Sequence, residues 1–189
     1  MTFAIGGISV WMPTFLQKER FYTESHAGLM FGLILAFDGI VASLLGGWIG
    51  DKLLPRFKGA YYLISAVSLG LGVPAMLIAL NTSGRLMWVA ILIAGFFLLL
   101  NTSPLNAALI NAVGPHIRAF ALAVNIFVIH LLGDAFSPTI IGRIADHSSL
   151  RLGLSTTSIA LALSSMVLFY GARFAPKMGA DPKAPVAAA

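Results

Sequence analysis

Long apolar runs alternate with short polar interruptions along the whole chain. The runs cover roughly Thr2–Leu16, Ala27–Gly50, Ala60–Leu80, Leu86–Val113, Ala119–Ala145 and Leu152–Ala172. A helix needs about 20 apolar residues to cross the hydrocarbon core of a bilayer, so the pattern predicts six transmembrane helices. The connections are short and polar: "QKERFYTESH", "DKLLPRFKG", "NTSGR", "GPHIR" and "DHSSLR". The first run lacks a basic lead. Trp11 and Pro13 stand where a signal peptide would carry small residues, so the run reads as a span. The expected division is a six-helix unit over residues 1–176 and a disordered cytoplasmic tail over 177–189, where "KMGADPKAPVAAA" is rich in Pro and Ala.

Composition agrees with the pattern. Of 189 residues, 58% are hydrophobic and 10% charged, whereas a soluble domain carries about 25% charged residues. The fold class is therefore an all-α membrane protein. The formal charge of +5 does not point to nucleic acid, because the basic residues sit in clusters between apolar runs rather than in a stripe. Membrane lipids are the expected contact for them. With both termini on one side, that side carries Lys52, Arg56, Lys58, Arg118, Arg173, Lys177 and Lys183. The other carries Lys18, Arg20, Arg85, Arg143 and Arg151. The bias favours cytoplasmic termini, with a bacterial inner membrane as the expected location.

A few polar residues interrupt the apolar runs. Asp38 falls near the middle of the second, and an Asp at that depth costs about 2.5–3.5 kcal/mol on insertion scales. It reads either as a proton or substrate site or as a carboxyl hydrogen-bonded inside the bundle. In the fifth run "HLLGDAFSP" places His130 and Asp134 four residues apart, on one helix face. The two can share a proton, either as a proton-responsive latch or as a static pair that fixes packing. Gly133 and Pro138 would let that helix bend or pack closely. Asn101 and Asn106, about 140° apart on a regular helix, flank Pro104, which can unwind the helix there. They are read as cavity lining or as interhelical hydrogen-bonding groups. Gly28/Gly32 and Gly46/Gly50 read as close-packing pairs. Trp11, Trp48 and Trp88 read as interface anchors.

"GWIGDKLLPR" (47–56) and "GRIADHSSLR" (142–151) share Gly-x-x-x-Asp-x-x-x-x-Arg. Gly47, Asp51 and Arg56 thus have counterparts in Gly142, Asp146 and Arg151. The two segments end the second and fifth spans, on opposite sides of a six-span bundle. Two three-helix repeats of inverted topology have this property.

"GGWIGDKLLPR" resembles the cytoplasmic signature of the major facilitator superfamily, with Lys52 in its first basic position and Arg56 and Lys58 as later ones. Leu54 and Pro55 stand where the signature has its second glycine. "GGISVWMPTFL" (6–16), "PLNAALINAVGPHIRAFALAVNIFVIHLLGDAFSP" (104–138) and "IIGRIAD" (140–146) resemble the Spinster-like branch. The resemblance implies the second half, helices seven to twelve, of a twelve-helix alternating-access transporter. It further implies a small organic, amphiphilic or lysolipid-like solute and, in many members, proton coupling. It makes Gly47, Asp51, Lys52 and Arg56 a conformational latch at the cytoplasmic rim. It leaves Asp38, Asn101, Asn106, His130 and Asp134 as substrate or proton candidates.

Other classes fit less well. A zinc site between two helices needs a second ligand pair, yet Ile34 and Ala42 stand four residues either side of Asp38. No metal or cofactor is expected. Neither His-Glu-x-x-His nor Gly-x-Ser-x-Gly occurs, so an enzyme is not expected. The leading expectation is a secondary active transporter present as its second half, a fragment that needs a complementary six-helix half or a second copy. In that reading a lone half would turn Asp38, Asn101 and Asn106 toward lipid from its cavity face. The alternative is a non-transporting six-helix assembly module or a truncated gene product.

Overall fold

The computed structural model describes residues 1–175, and every regular element among them is helical. The expected tail over 177–189 lies outside the described residues. In chain order the helices are α1 (Thr2–Lys18), α2 (Glu24–Leu53), α3 (Ala60–Asn81), α4 (Gly84–Leu100), α5 (Thr102–Ala112), α6 (Arg118–Ile129), α7 (Ser137–His147) and α8 (Leu150–Gly171). A π-helical turn, His130–Asp134, joins α6 to α7. Five stretches are long and apolar enough to cross a membrane: α2, α3, Gly84–Ala112, Pro115–His147 and Leu150–Phe174. The remaining expected span is α1, whose 17 residues sit at the short limit for a crossing.

Four of the six expected spans form as single helices. The fourth does not; it breaks at Asn101, between α4 and α5. Pro104 is the physical reason. It has no N–H to offer the carbonyl of Leu100 four residues back, and its ring crowds that carbonyl. The helix therefore ends before the proline rather than kinking at it. The fifth expected span is interrupted by the π turn, closed by the Ala135 N–H donating to the His130 carbonyl at 3.0 Å.

Lipid offers no hydrophobic drive for helices to associate, so close packing through small residues holds such bundles. Here glycine sets the crossings. A Cβ on Gly46 would strike the Leu100 carbonyl, and one on Gly50 would lie 2.7 Å from the Tyr61 ring. A Cβ on Gly7 would strike Ile141, and one on Gly6 would come within 2.8 Å of the Asp134 backbone. The expectation for the pair Gly28/Gly32 is corrected: these two glycines, like Gly39, have no atom within 4 Å of an added Cβ. They share a side of α2 with Gly46 and Gly50, but nothing in the described chain comes to meet them.

The core gathers Ile8, Phe15, Leu16, Leu69, Met76, Leu80, Met87, Leu98, Ile141, Leu154 and Leu161, all at most 3% exposed. Side-chain bonds close one rim. Arg20 donates to the carbonyls of Leu80 (2.6 Å) and Thr82 (3.0 Å), satisfying the end of α3. The backbone N–H of Arg151 donates to Glu19 Oε1 at 2.9 Å. At the other rim the α2–α3 turn meets the end of α8, where Gly59 abuts the Ala172 carbonyl. Asp51 and Arg151 therefore lie at opposite rims, as alternating crossings require.

Gly46→Ala should lower stability by about 1–3 kcal/mol, the usual cost of overpacking. Gly28→Ala should be neutral or stabilising by up to about 1 kcal/mol through helix propensity alone. Thermal unfolding of the purified variants in detergent checks the contrast; equal effects would contradict these contacts.

Candidate functional site

The polar residues of the spans separate into an interior group, a π-turn pair and a rim group. Asp38 is fully buried, and a Cβ on Gly95 would collide with its carboxyl. The absence of a side chain at Gly95 is thus what admits the carboxyl between α2 and α4. Neither of its oxygens has a hydrogen-bond partner. Asn101 is also fully buried. Its Nδ2 donates to the Leu98 carbonyl at 2.5 Å, while its Oδ1 has no partner. The expectation that Asp38 and Asn101 would lie on an open cavity face is corrected. α4 covers Asp38, and the break places Asn101 at the buried joint of α4 and α5. Asn106, a turn beyond the break, is exposed. The structure does not bring these three together.

His130 and Asp134 fall within the π turn, with His130 Nδ1 2.5 Å from Asp134 Oδ2. The His130 side chain is 59% exposed and that of Asp134 28%. The other carboxyl oxygen, Oδ1, is buried without a partner. The π turn exists where α1 comes closest. Gly6 lies against Asp134 and Ser137, and a Cβ on Gly133 would strike Thr2. The pair therefore sits on the backbone contact between α1 and the fifth span. A change in its geometry would be felt directly by α1. π turns recur at functional sites in helices for this reason: they re-aim side chains locally.

At the rim Asp51 and Arg56 do not pair. Tyr61 donates to Asp51 Oδ1 at 2.6 Å, and Lys52 lies over the Trp48 ring at 4.8 Å. Gly47 lies against Ser103, tying this segment to α5. In the counterpart segment Gly142 accommodates the Trp11 ring, and Asp146 and Arg151 are exposed. Arg151 engages Glu19 through its backbone rather than its guanidinium. The two segments share spacing and helix-end position but not partners.

Several residues escaped the sequence reading. Tyr61 is the partner of Asp51; the one available signal was its placement at the start of the next span. Trp11 is not an interface anchor: its Nε1 donates to the Pro138 carbonyl at 2.8 Å. Trp88 likewise bonds internally, donating to the Tyr22 hydroxyl at 3.2 Å, with His26 stacked on Tyr22 at 5.4 Å. Trp48, 59% exposed, keeps the anchor reading. Among the described residues no three His, Cys, Asp or Glu converge on a point that could hold a metal ion.

The amino-acid sequence has matches among known proteins. The model of the family described as Major Facilitator Superfamily matches residues 1–138. The chain belongs to the Major Facilitator Superfamily. It is an integral membrane protein of Spinster type. It is 36% identical over 163 residues to Protein spinster homolog 3 of Danio rerio, covering 79% of this chain and 33% of that protein. It is 30% identical over 172 residues to the Probable sphingolipid transporter spinster homolog 3 of Arabidopsis thaliana, covering 89% of this chain and 33% of that one. It is 29% identical over 196 residues to the Sphingosine-1-phosphate transporter SPNS2 of Danio rerio, covering 92% and 38%. The chain spans about a third of the length of the curated relatives it matches.

Asp134→Asn should keep the fold, with stability within about 1 kcal/mol of the parent, because the amide still bonds His130. Asp134→Leu should cost about 1–3 kcal/mol by stranding the imidazole against an apolar side chain. Thermal unfolding in detergent distinguishes them; two variants indistinguishable from the parent would show that the pair holds nothing together.

Proposed function

We propose that this chain is the second six-helix half of a proton-coupled, alternating-access transporter for an amphiphilic, lysolipid-like solute. Both termini are cytoplasmic, and the membrane is a bacterial inner membrane. The half works with a complementary six-helix half or a second copy. One observation carries the reading: His130 and Asn106 are exposed at membrane depth. A polar group facing hydrocarbon costs several kcal/mol, so these side chains call for a water-lined wall that a second half would complete. The same span, α6 with its π turn, also exposes large apolar side chains, among them Phe120, Phe127 and Leu132 at 72%, 64% and 67%. A wall of that mixed character suits a solute with a polar head and an apolar tail. The names of two relatives, a probable sphingolipid transporter and a sphingosine-1-phosphate transporter, support the same class.

Asp38 is the proton carrier in this mechanism. It is the ionisable side chain most deeply buried in the helices, and an ionisable group there is a functional candidate by default. Proton exchange at Asp38 would change how tightly α2 fits α4 at Gly95. His130 and Asp134 would sense the same cycle where α1 meets the fifth span. Asp51, Lys52 and Arg56 form the cytoplasmic latch, in which Asp51 trades its Tyr61 bond for a cation of the moving half. A non-transporting assembly module is the second reading, and the exposed Gly28 and Gly32 favour a protein partner under either.

The test is proton-driven lysolipid uptake into liposomes. The purified chain alone should be inactive, and co-expression with a first half should give saturable uptake. Asp38→Asn should reduce that uptake about tenfold or more, equivalent to about 1.4 kcal/mol. A monodisperse monomer with saturable transport would overturn the half-transporter reading; inactivity in every pairing would favour the assembly module. For orientation, Lys52→Cys should be labelled from the cytoplasmic side and Arg151→Cys from the other; the swapped pattern would reverse the assignment, and labelling of both from one side would overturn the six-span topology.

A further inference from the structure

The outer flank of the bundle carries an apolar trough that runs into a basic pocket. α3 and α8 approach closely because small residues meet between them. Ser165 Oγ donates to the Ala66 carbonyl at 2.7 Å, and Gly70 lies against Ser165. These small residues make a floor. Val67, Leu71, Met166 and Phe169, between 48% and 67% exposed, make the walls. The trough has a volume of about 470 Å³. It extends from Ser165 on α8 to Arg173 in the 3-10 turn that follows it, about 12 Å at roughly 1.5 Å per residue.

At its end Arg173 is shared with a second cavity of about 380 Å³, lined also by Arg56, Lys58 and Gly59. Gly59 makes this possible, since only a missing side chain lets the α2–α3 turn lie against the Ala172 carbonyl. The turn thereby brings Arg56 and Lys58 beside Arg173. All three cations are exposed, and none has a carboxylate partner among the described residues.

We propose that trough and pocket together bind an anionic phospholipid of the surrounding bilayer, with an acyl chain in the trough and the phosphate held by Arg56, Lys58 and Arg173. A soluble anion would use the pocket and leave the trough empty. A zwitterionic lipid would fill the trough but set its own ammonium among three cations. Only a lipid with net negative charge satisfies both. Basic pockets between transmembrane helices recognise such head groups by this combination of charge and depth. The site is on the lipid-facing flank and does not rest on the transport proposal.

The test uses the full chain in detergent micelles, titrated with phosphatidylglycerol, phosphatidylcholine or soluble glycerol phosphate. Native mass spectrometry and thermal shift report binding. Phosphatidylglycerol should be retained and should raise the melting temperature; the other two should bind at least tenfold more weakly. Each cation near a head group contributes about fivefold, so the combined Arg56→Gln, Lys58→Gln and Arg173→Gln variant should lose on the order of a hundredfold in affinity. Its melting temperature without lipid should match the parent, because the three side chains are exposed. Phe169→Ser, which alters the wall and not the charge, should weaken phosphatidylglycerol several-fold. Equal retention of the two lipids, glycerol phosphate binding as tightly as phosphatidylglycerol, or parental affinity in the triple variant would each overturn the proposal.

Discussion

The meeting of Gly46 with the Leu100 carbonyl governs how the rest of the bundle is arranged. Pro104 withholds a donor from that carbonyl, so the fourth span breaks at Asn101. A bare glycine on α2 is what can lie against the broken joint. Once Gly46 is seated, the register of α2 follows. Asp38, two turns earlier, is carried to the one place on α4 where Gly95 leaves room for a carboxyl. Gly50, one turn later, meets Tyr61, whose hydroxyl reaches Asp51. The interior acid and the rim acid are thus positioned by the same contact.

This arrangement divides the polar chemistry by depth. The buried carboxyl of Asp38 and amide of Asn101 are held by packing and left short of hydrogen bonds, whereas the buried hydroxyls of Ser65, Ser68 and Thr157 bond carbonyls of their own helices. The rim groups are satisfied by neighbours: Arg20 on the end of α3, Glu19 on the start of α8, Tyr61 on Asp51. Such a distribution concentrates energetic tension in the middle of the bundle, where an unpaired polar group is costly, and keeps the ends firm.

Much of the fold was legible because apolar run length is a strong signal in a membrane. The ends of α1, α3 and α8 fall within two residues of the runs that predict them, since polar connections leave little freedom. The break in the fourth span was partly legible. Pro104 announced a disturbance, but its effect falls on the carbonyl four residues earlier, so the helix ends at Leu100. The facing of Asp38 was not legible, because it depends on Gly95 of another helix. Nor was the fate of the glycine pairs. Gly28/Gly32 and Gly46/Gly50 are alike in spacing, yet only the second pair meets a neighbour. Of the candidate site, the four-residue spacing predicted that His130 and Asp134 could meet. Gly133 and Pro138 announced a disturbance in that helix, but not that it would take the form of a π turn packed against α1.

The π turn has a consequence for how the fifth span should be read. A turn closed over five residues instead of four holds one residue more than the α-helical count allows. Every side chain after Asp134 is therefore rotated by roughly 100° from where an unbroken helix would carry it. α6 and α7 are two helices out of phase with each other. Ile141 reaches the core at Gly7, and Gly142 receives Trp11, on a face that α6 does not continue. A shift from π to α geometry at His130–Asp134 would turn that face like a screw, withdrawing Ile141 and Gly142 from α1 while lengthening the span by about 1.5 Å, the rise of one residue.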